Sequence, residues 1–110
     1  MSEWIDVCHI DDLQPDSGVC ALVEGKQVAI FYMPKEQAVF AIDNYDPFGK
    51  ANVLSRGMIG DIGGMPMVAS PLYKQHFNLR TGVCLEDEGV KVDAYDVRID
   101  SDRVIVRIAG

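Results

Sequence analysis

The sequence has little of what usually announces chemistry. Its two histidines, His9 and His76, stand in no HExxH or CxxC-like arrangement, so no metal-ligand spacing is present. Cys8 and His9 are neighbours, and on a strand neighbours face opposite ways, which disfavours joint ligation. Three cysteines, Cys8, Cys20 and Cys84, are an odd and widely spaced set that implies no disulfide framework. No GxSxG, P-loop or GxGxxG pattern occurs. Basic residues are scarce: 10 Lys and Arg against 17 Asp and Glu, a formal charge of −7. Nucleic-acid binding without sequence preference needs a basic face, and a polybasic membrane anchor needs clustered cations, so neither is expected. No apolar run approaches the roughly 18–20 residues of a membrane helix. The first 15 residues mix Glu3, Asp6, Asp11 and Asp12 with apolar ones, unlike a secretory signal. The expected location is the cytoplasm.

Helical patterning is also missing. Residues 10–13 suit one helical turn, with Asp11 or Asp12 near its start and Pro15 just beyond. Elsewhere no stretch of about 12 residues holds an apolar stripe at helical spacing free of Gly and Pro.

What is present reads as strands and turns. The 110 residues are 48% hydrophobic, enough for one self-sufficient domain spanning residues 1–110. Residues 19–23 and 27–33 flank Glu24-Gly25-Lys26, the signature of a β-hairpin. Residues 38–42 form another apolar run after a polar turn. Tyr95, Val97 and Ile99, then Val104, Val106 and Ile108, alternate with polar residues around Ser101-Asp102, a half-buried hairpin. Residues 4–8 read as a first strand. The expected class is all-β and antiparallel.

The middle differs. Residues 43–64 contain five glycines in 22 positions, and residues 70–82 have little strand character. Two long loops in one half of a small β domain point to a functional region. Gly60-Asp61-Ile62-Gly63-Gly64 reads as a tight turn rather than a phosphate cradle, because no helix pattern follows it. Glu86-Asp87-Glu88 reads as a solvated acidic run.

The two loops carry a resemblance. Residues 41–49, Ala-Ile-Asp-Asn-Tyr-Asp-Pro-Phe-Gly, resemble the first cluster-binding loop of Rieske iron–sulfur domains. Residues 70–82, Ser-Pro-Leu-Tyr-Lys-Gln-His-Phe-Asn-Leu-Arg-Thr-Gly, resemble the second. The resemblance spans essentially the whole chain and implies a Rieske-like antiparallel β sandwich with a small loop-rich subdomain at about residues 43–82. A Rieske centre takes two Cys and two His. The matching positions here are Asp46, Phe48, Ser70 and Tyr73. Phe cannot ligate, and Asp, Ser and Tyr offer hard oxygen in place of soft sulfur. His76 lies three residues past the second histidine position. The expectation is therefore no cluster, no metal and no catalytic residue in this chain.

A complete Rieske-like scaffold without ligands resembles the small subunits of cytoplasmic NAD(P)H-dependent nitrite reductases. Residues 43–48, residues 53–57 and Ser70-Pro71-Leu72 carry that likeness. It implies a large-subunit partner holding FAD, an iron–sulfur cluster and sirohaem, which reduces nitrite to ammonium. In that reading this chain is a noncatalytic support. A Rieske-type electron-carrier ferredoxin and a generic protein-binding module on a clusterless scaffold are the alternatives. Protruding loops suit docking, so Pro47, Phe48, Lys50, Arg56, Leu72, Tyr73, Lys74 and His76 are the partner-binding candidates, with aromatics central and lysines at a rim. Phe48 and Tyr73 are expected to pack on each other where a cluster would sit, since something must fill that gap.

Overall fold

Three two-residue turns organise the chain, and each has positive φ at both positions: Glu24-Gly25 (49° and 79°), Gly63-Gly64 (60° and 86°) and Ser101-Asp102 (50° and 67°). This sign pattern is that of the primed turns whose twist matches paired antiparallel strands. We describe residues 4–108 of a computed structural model. Eleven strands are present among them: β1 (Trp4–His9), β2 (Ser17–Val23), β3 (Lys26–Met33), β4 (Ala38–Asp43), β5 (Tyr45–Asp46), β6 (Ala51–Asn52), β7 (Met58–Ile62), β8 (Met65–Ala69), β9 (His76–Asn78), β10 (Ala94–Asp100) and β11 (Arg103–Arg107). Short 3-10 turns cover Ile10–Asp12, Pro34–Glu36 and Leu54–Arg56. The first begins at His9 rather than at an aspartate: the His9 ring accepts from Asp11 N while Asp12 accepts from His9 N.

Six strands form one curled antiparallel sheet in the order β1-β11-β10-β4-β3-β2. β5 pairs with β6, and β7-β8-β9 form a separate small sheet. The all-β, antiparallel reading holds. Strand β3 explains its own unbroken apolar run, because both of its faces are covered. Val28 and Ile30 join Leu13, Val23, Ala41, Val104 and Val106 inside the curl. Ala29, Phe31 and Met33 point the other way and join Ile42, Leu54, Val68, Phe77, Leu79, Cys84 and Val92. A strand buried on both faces has no reason to alternate polar and apolar residues.

The second core joins the large sheet to the small one. Its presence corrects the reading of residues 43–64 and 70–82 as loop with little strand: β7 and β8 make a hairpin and β9 completes the sheet. Gly60 and Pro66 sit inside that hairpin. Trp4 at the sheet margin meets the Arg98 and Arg107 guanidinium groups, 4.5 and 4.8 Å from its ring centre, contacts favoured by the ring's negative face.

Candidate functional site

The two loops leave the core side by side. The first follows β4, and Asn44 fastens it. Asn44 is buried and uses every part of its amide. Its Oδ1 accepts from Ser55 N at 2.7 Å, and its Nδ2 donates to Gln27 Oε1 at 3.2 Å and to Cys20 Sγ at 3.5 Å. Its backbone N donates to Gln27 O and its carbonyl accepts from Leu54 N, both at 3.0 Å. One side chain thus ties the loop to the β2–β3 hairpin and to the 54–56 turn, meeting the requirement that a buried amide be fully bonded.

Two residues on, Asp46 is fully buried, as is Ser70 at the start of the second loop. They meet directly: Ser70 Oγ donates to Asp46 Oδ2. The direction of this bond follows from its surroundings. Leu72 N donates to Ser70 Oγ at 3.2 Å, so the hydroxyl proton is free to go to the carboxylate. Asp46 Oδ1 accepts from Phe48 N at 2.9 Å and Gly49 N at 3.2 Å. Three donors converge on one buried carboxyl and satisfy both of its oxygens.

The loops are built alike. Asp46-Pro47-Phe48-Gly49-Lys50 and Ser70-Pro71-Leu72-Tyr73-Lys74 share a polar first residue, a proline, a large apolar residue and a final lysine. In both, the first side chain accepts from the backbone N two positions on. In both, the lysine N donates to the first residue's carbonyl, at 2.7 Å for Lys50 and 3.1 Å for Lys74. Both lysines take a left-handed conformation, with φ of 55° and 65°. Such φ values are uncommon outside glycine and aim two exposed cations out of the two loop ends. This repeated pattern is the signal in the sequence that the two loops pair, across partners 24 residues apart.

The large side chains do not pack as expected. Phe48 turns inward against Phe77, with ring centres 6.2 Å apart and tilted by 49°. Tyr73 points outward and is 65% exposed. The expected Phe48–Tyr73 contact is replaced by Leu72, which lies over Gly49 so closely that a Cβ there would collide with its Cδ1. A side chain at 49 would make Leu72 shift from that position. Pro47 is half-buried and Lys50, Leu72, Tyr73 and Lys74 are exposed.

Two candidates stand elsewhere. Arg56 is exposed at the end of the 54–56 turn. His76 lies on β9, where its ring Nδ1 is 2.6 Å from Glu86 Oε2 and its backbone N donates to Glu86 Oε1 at 2.7 Å. Burial alone would raise the Glu86 carboxyl, but these bonds from His76 hold it below its ordinary range. Glu86 is thus a paired residue, whereas Asp87 and Glu88 remain solvated as expected. Cys8, Cys20 and Cys84 all have thiols pushed up, chiefly by burial, so none is primed as a nucleophile.

These residues do not fit an iron–sulfur cluster. Two of the four positions are hydrogen-bonded to each other, Phe48 packs against the core and Tyr73 faces solvent. Among the described residues no group of three or more His, Cys, Asp or Glu gathers to hold a metal. No described helix is long and apolar enough to cross a membrane.

Comparison with known proteins now decides the family. Residues 3–107 match the model of the Rieske-like [2Fe-2S] domain. The chain is 51% identical over 107 residues to the nitrite reductase (NADH) small subunit of Salmonella typhimurium, covering 97% of this chain and 99% of that one. The chain belongs to the nitrite reductase small subunits, a branch of the Rieske-like domains. The solution structure of the E. coli protein NirD matches with a TM-score of 0.91 and 48% identity, each chain covered in full. A nitrite reductase [NAD(P)H] large subunit of Klebsiella oxytoca is 39% identical over 103 residues, 94% of this chain but 11% of that protein. A counterpart of this domain is therefore one part of that longer polypeptide.

Proposed function

We propose that this chain is the noncatalytic small subunit of a cytoplasmic NAD(P)H-dependent nitrite reductase, which docks on the large subunit through its paired loop ends and supports the reduction of nitrite to ammonium. FAD, an iron–sulfur cluster and sirohaem belong to the large subunit in this reading, and nitrate assimilation is the process served. The observation that carries it is the Asp46–Ser70 bond: where Rieske loops are joined by a cluster, these are joined by a hydrogen bond. The loops keep their shape and lose the donors for electron transfer. The match within the Klebsiella large subunit supports the choice of partner, because a domain carried in the same polypeptide meets its partner at an effective concentration of roughly millimolar.

The docking surface has an apolar centre, Leu72 and Tyr73 with the proline at 47, and a cationic rim, Lys50 and Lys74. Buried aromatic anchors supply interface energy and rim charges supply orientation. Arg56 and His76 lie on other elements and contribute less to this surface. The donor set argues against the electron-carrier reading. Reconstitution tests the proposal: the purified chain is analysed for iron, then added to the isolated large subunit. The expected result is no iron and a rise in the activity or stability of the large subunit. Stoichiometric iron–sulfur absorbance would return the electron-carrier reading, and no effect on the large subunit would leave a generic binding module. Lys50→Glu with Lys74→Glu should weaken the complex; unchanged binding would sink the loop-end surface.

A further inference from the structure

The β7-β8-β9 sheet has one face on the core; its other face buries Met67 in the middle row and leaves the side chains at its margin open. The register sets Met58, Ala69 and His76 in one row, Gly60, Met67 and Asn78 in the next, and Ile62 with Met65 in the third. The opposite face sends Ile59, Val68 and Phe77 into the core. On the outer face Met58 is 80% exposed, Met65 40% and Ile62 39%. Two adjoining grooves of about 340 and 300 Å³ share Met67 as their floor. Exposed, unbranched methionines are typical of surfaces that adapt to a partner.

β7 is also the edge strand of this sheet. Pro66 has no N–H, and its carbonyl accepts from Leu79 N at 2.9 Å, on the side away from β7. Asp61, opposite Pro66, and Ile59, opposite Val68, are therefore the non-bonded positions of the β7–β8 ladder, since antiparallel pairs alternate. Their N–H and C=O groups point outward. No described backbone bond outside the ladders reaches either residue. β7 has neither the Lys nor the Pro that commonly blunt an edge. The charged groups lining the two grooves, His76 aside, are the carboxylates Asp61 and Glu88; Glu86, beside His76, adds a third carboxylate at the rim.

We propose that this edge and its methionine face receive an extended segment of the large subunit, apolar at alternate positions and flanked by Lys or Arg, which adds to β7 as a fourth strand. Strand addition takes affinity from main-chain bonds and specificity from alternate side chains. Charge selects the occupant: a cationic segment complements the carboxylates, whereas a second copy would bring two acidic chains of net charge −7 together. The proposal rests on the small-subunit reading but uses a surface separate from the loop ends.

The test measures amide hydrogen exchange in the full chain with and without purified large subunit. Ile59 and Asp61 amides should slow at least about tenfold in the complex, beyond Met58, Gly60 and Ile62, which β8 already holds. Met58→Lys and Met65→Lys, both on exposed side chains, should weaken binding by about tenfold or more while the fold, read by the amide spectrum, is retained. A complex that forms with unchanged exchange at Ile59 and Asp61 and unchanged affinity in both variants would overturn the proposal alone. Failure of the wild-type chain to bind the large subunit would overturn the small-subunit reading with it. Slowing that depends on the concentration of this chain alone would give the edge to a second copy and likewise overturn it.

Discussion

Strand β3 and Asp46, at the head of the 46–50 loop, are equally hidden from solvent and are held there by different physics. Val28 to Phe31 are wholly buried by apolar contact on both faces. Asp46 is as deeply buried, yet it is held by three hydrogen bonds. Apolar burial is non-directional and spreads over many contacts. A buried carboxyl depends on a few directed bonds, and losing one leaves a partner unpaired. The sheet is therefore a broad support for the loops, whereas the loops have a narrow point of failure. A metal cluster in that place would tolerate no replacement of its ligands. A hydrogen bond keeps the loops joined with ordinary side chains.

The largest way to break the contrast is in the sheet. Phe31→Ala removes a fully buried ring from the second core and should cost about 3–5 kcal/mol, measured by denaturant unfolding. An effect below about 1 kcal/mol would mean that the two sheets do not share that core.

The loop bond comes next. Asp46→Ala or Ser70→Ala should each destabilise by about 1–3 kcal/mol, through the buried partners left unpaired. The double variant should cost less than the sum of the two. A fully additive cycle would show that the two residues act separately.

The two large side chains sharpen the same difference. Phe48→Ala should destabilise the fold by about 1–3 kcal/mol through its contact with Phe77. Tyr73→Ala, at an exposed site, should change stability by no more than about 0.5 kcal/mol and instead weaken binding to the large subunit. Equal stability losses would restore the packing of Phe48 on Tyr73 that the structure replaces.

The smallest effect is acid-dependent. His76 holds the Glu86 carboxyl below its ordinary range against the opposing effect of burial. A carboxyl lowered by folding contributes fully above its unfolded value of about 4.3, and the contribution fades as pH falls through the lower folded value. The pair is substantially exposed, so solvent screening limits it to about 0.5 kcal/mol or less. Thermal unfolding of wild type and Glu86→Gln should differ at pH 6 and converge toward pH 3. A constant difference across that range would rule out the carboxylate as its source.

Legibility in the sequence followed the range of the interactions. The β2–β3 and β10–β11 hairpins were readable because a turn and the alternation beside it are local. The β7–β8 hairpin has the same kind of turn at Gly63-Gly64, but Gly60 and Pro66 interrupt its apolar pattern. Pro66 is tolerated because the ladder to β7 asks no N–H of it. Asn44 was readable as part of a family-like stretch, while its bonds to Ser55, Gln27 and Cys20 were not, since they join three separate elements. His76 could be named as a candidate, but its pairing with Glu86 depends on how the segment after β9 returns.

The all-β class, the hairpins flanking the loops, the family and the loss of sulfur and imidazole at the four ligand positions are legible in the residues alone. Composition and local periodicity suffice for the class and the hairpins, and the resemblance of the two loop motifs to a known family carries the rest. Only the tertiary structure decided what replaces the cluster: Ser70 joined to Asp46, Phe48 turned to Phe77 and Leu72 laid over Gly49. Those contacts are set by how two loops of the same shape converge on one core, and a one-dimensional pattern carries no distance between residues 24 positions apart.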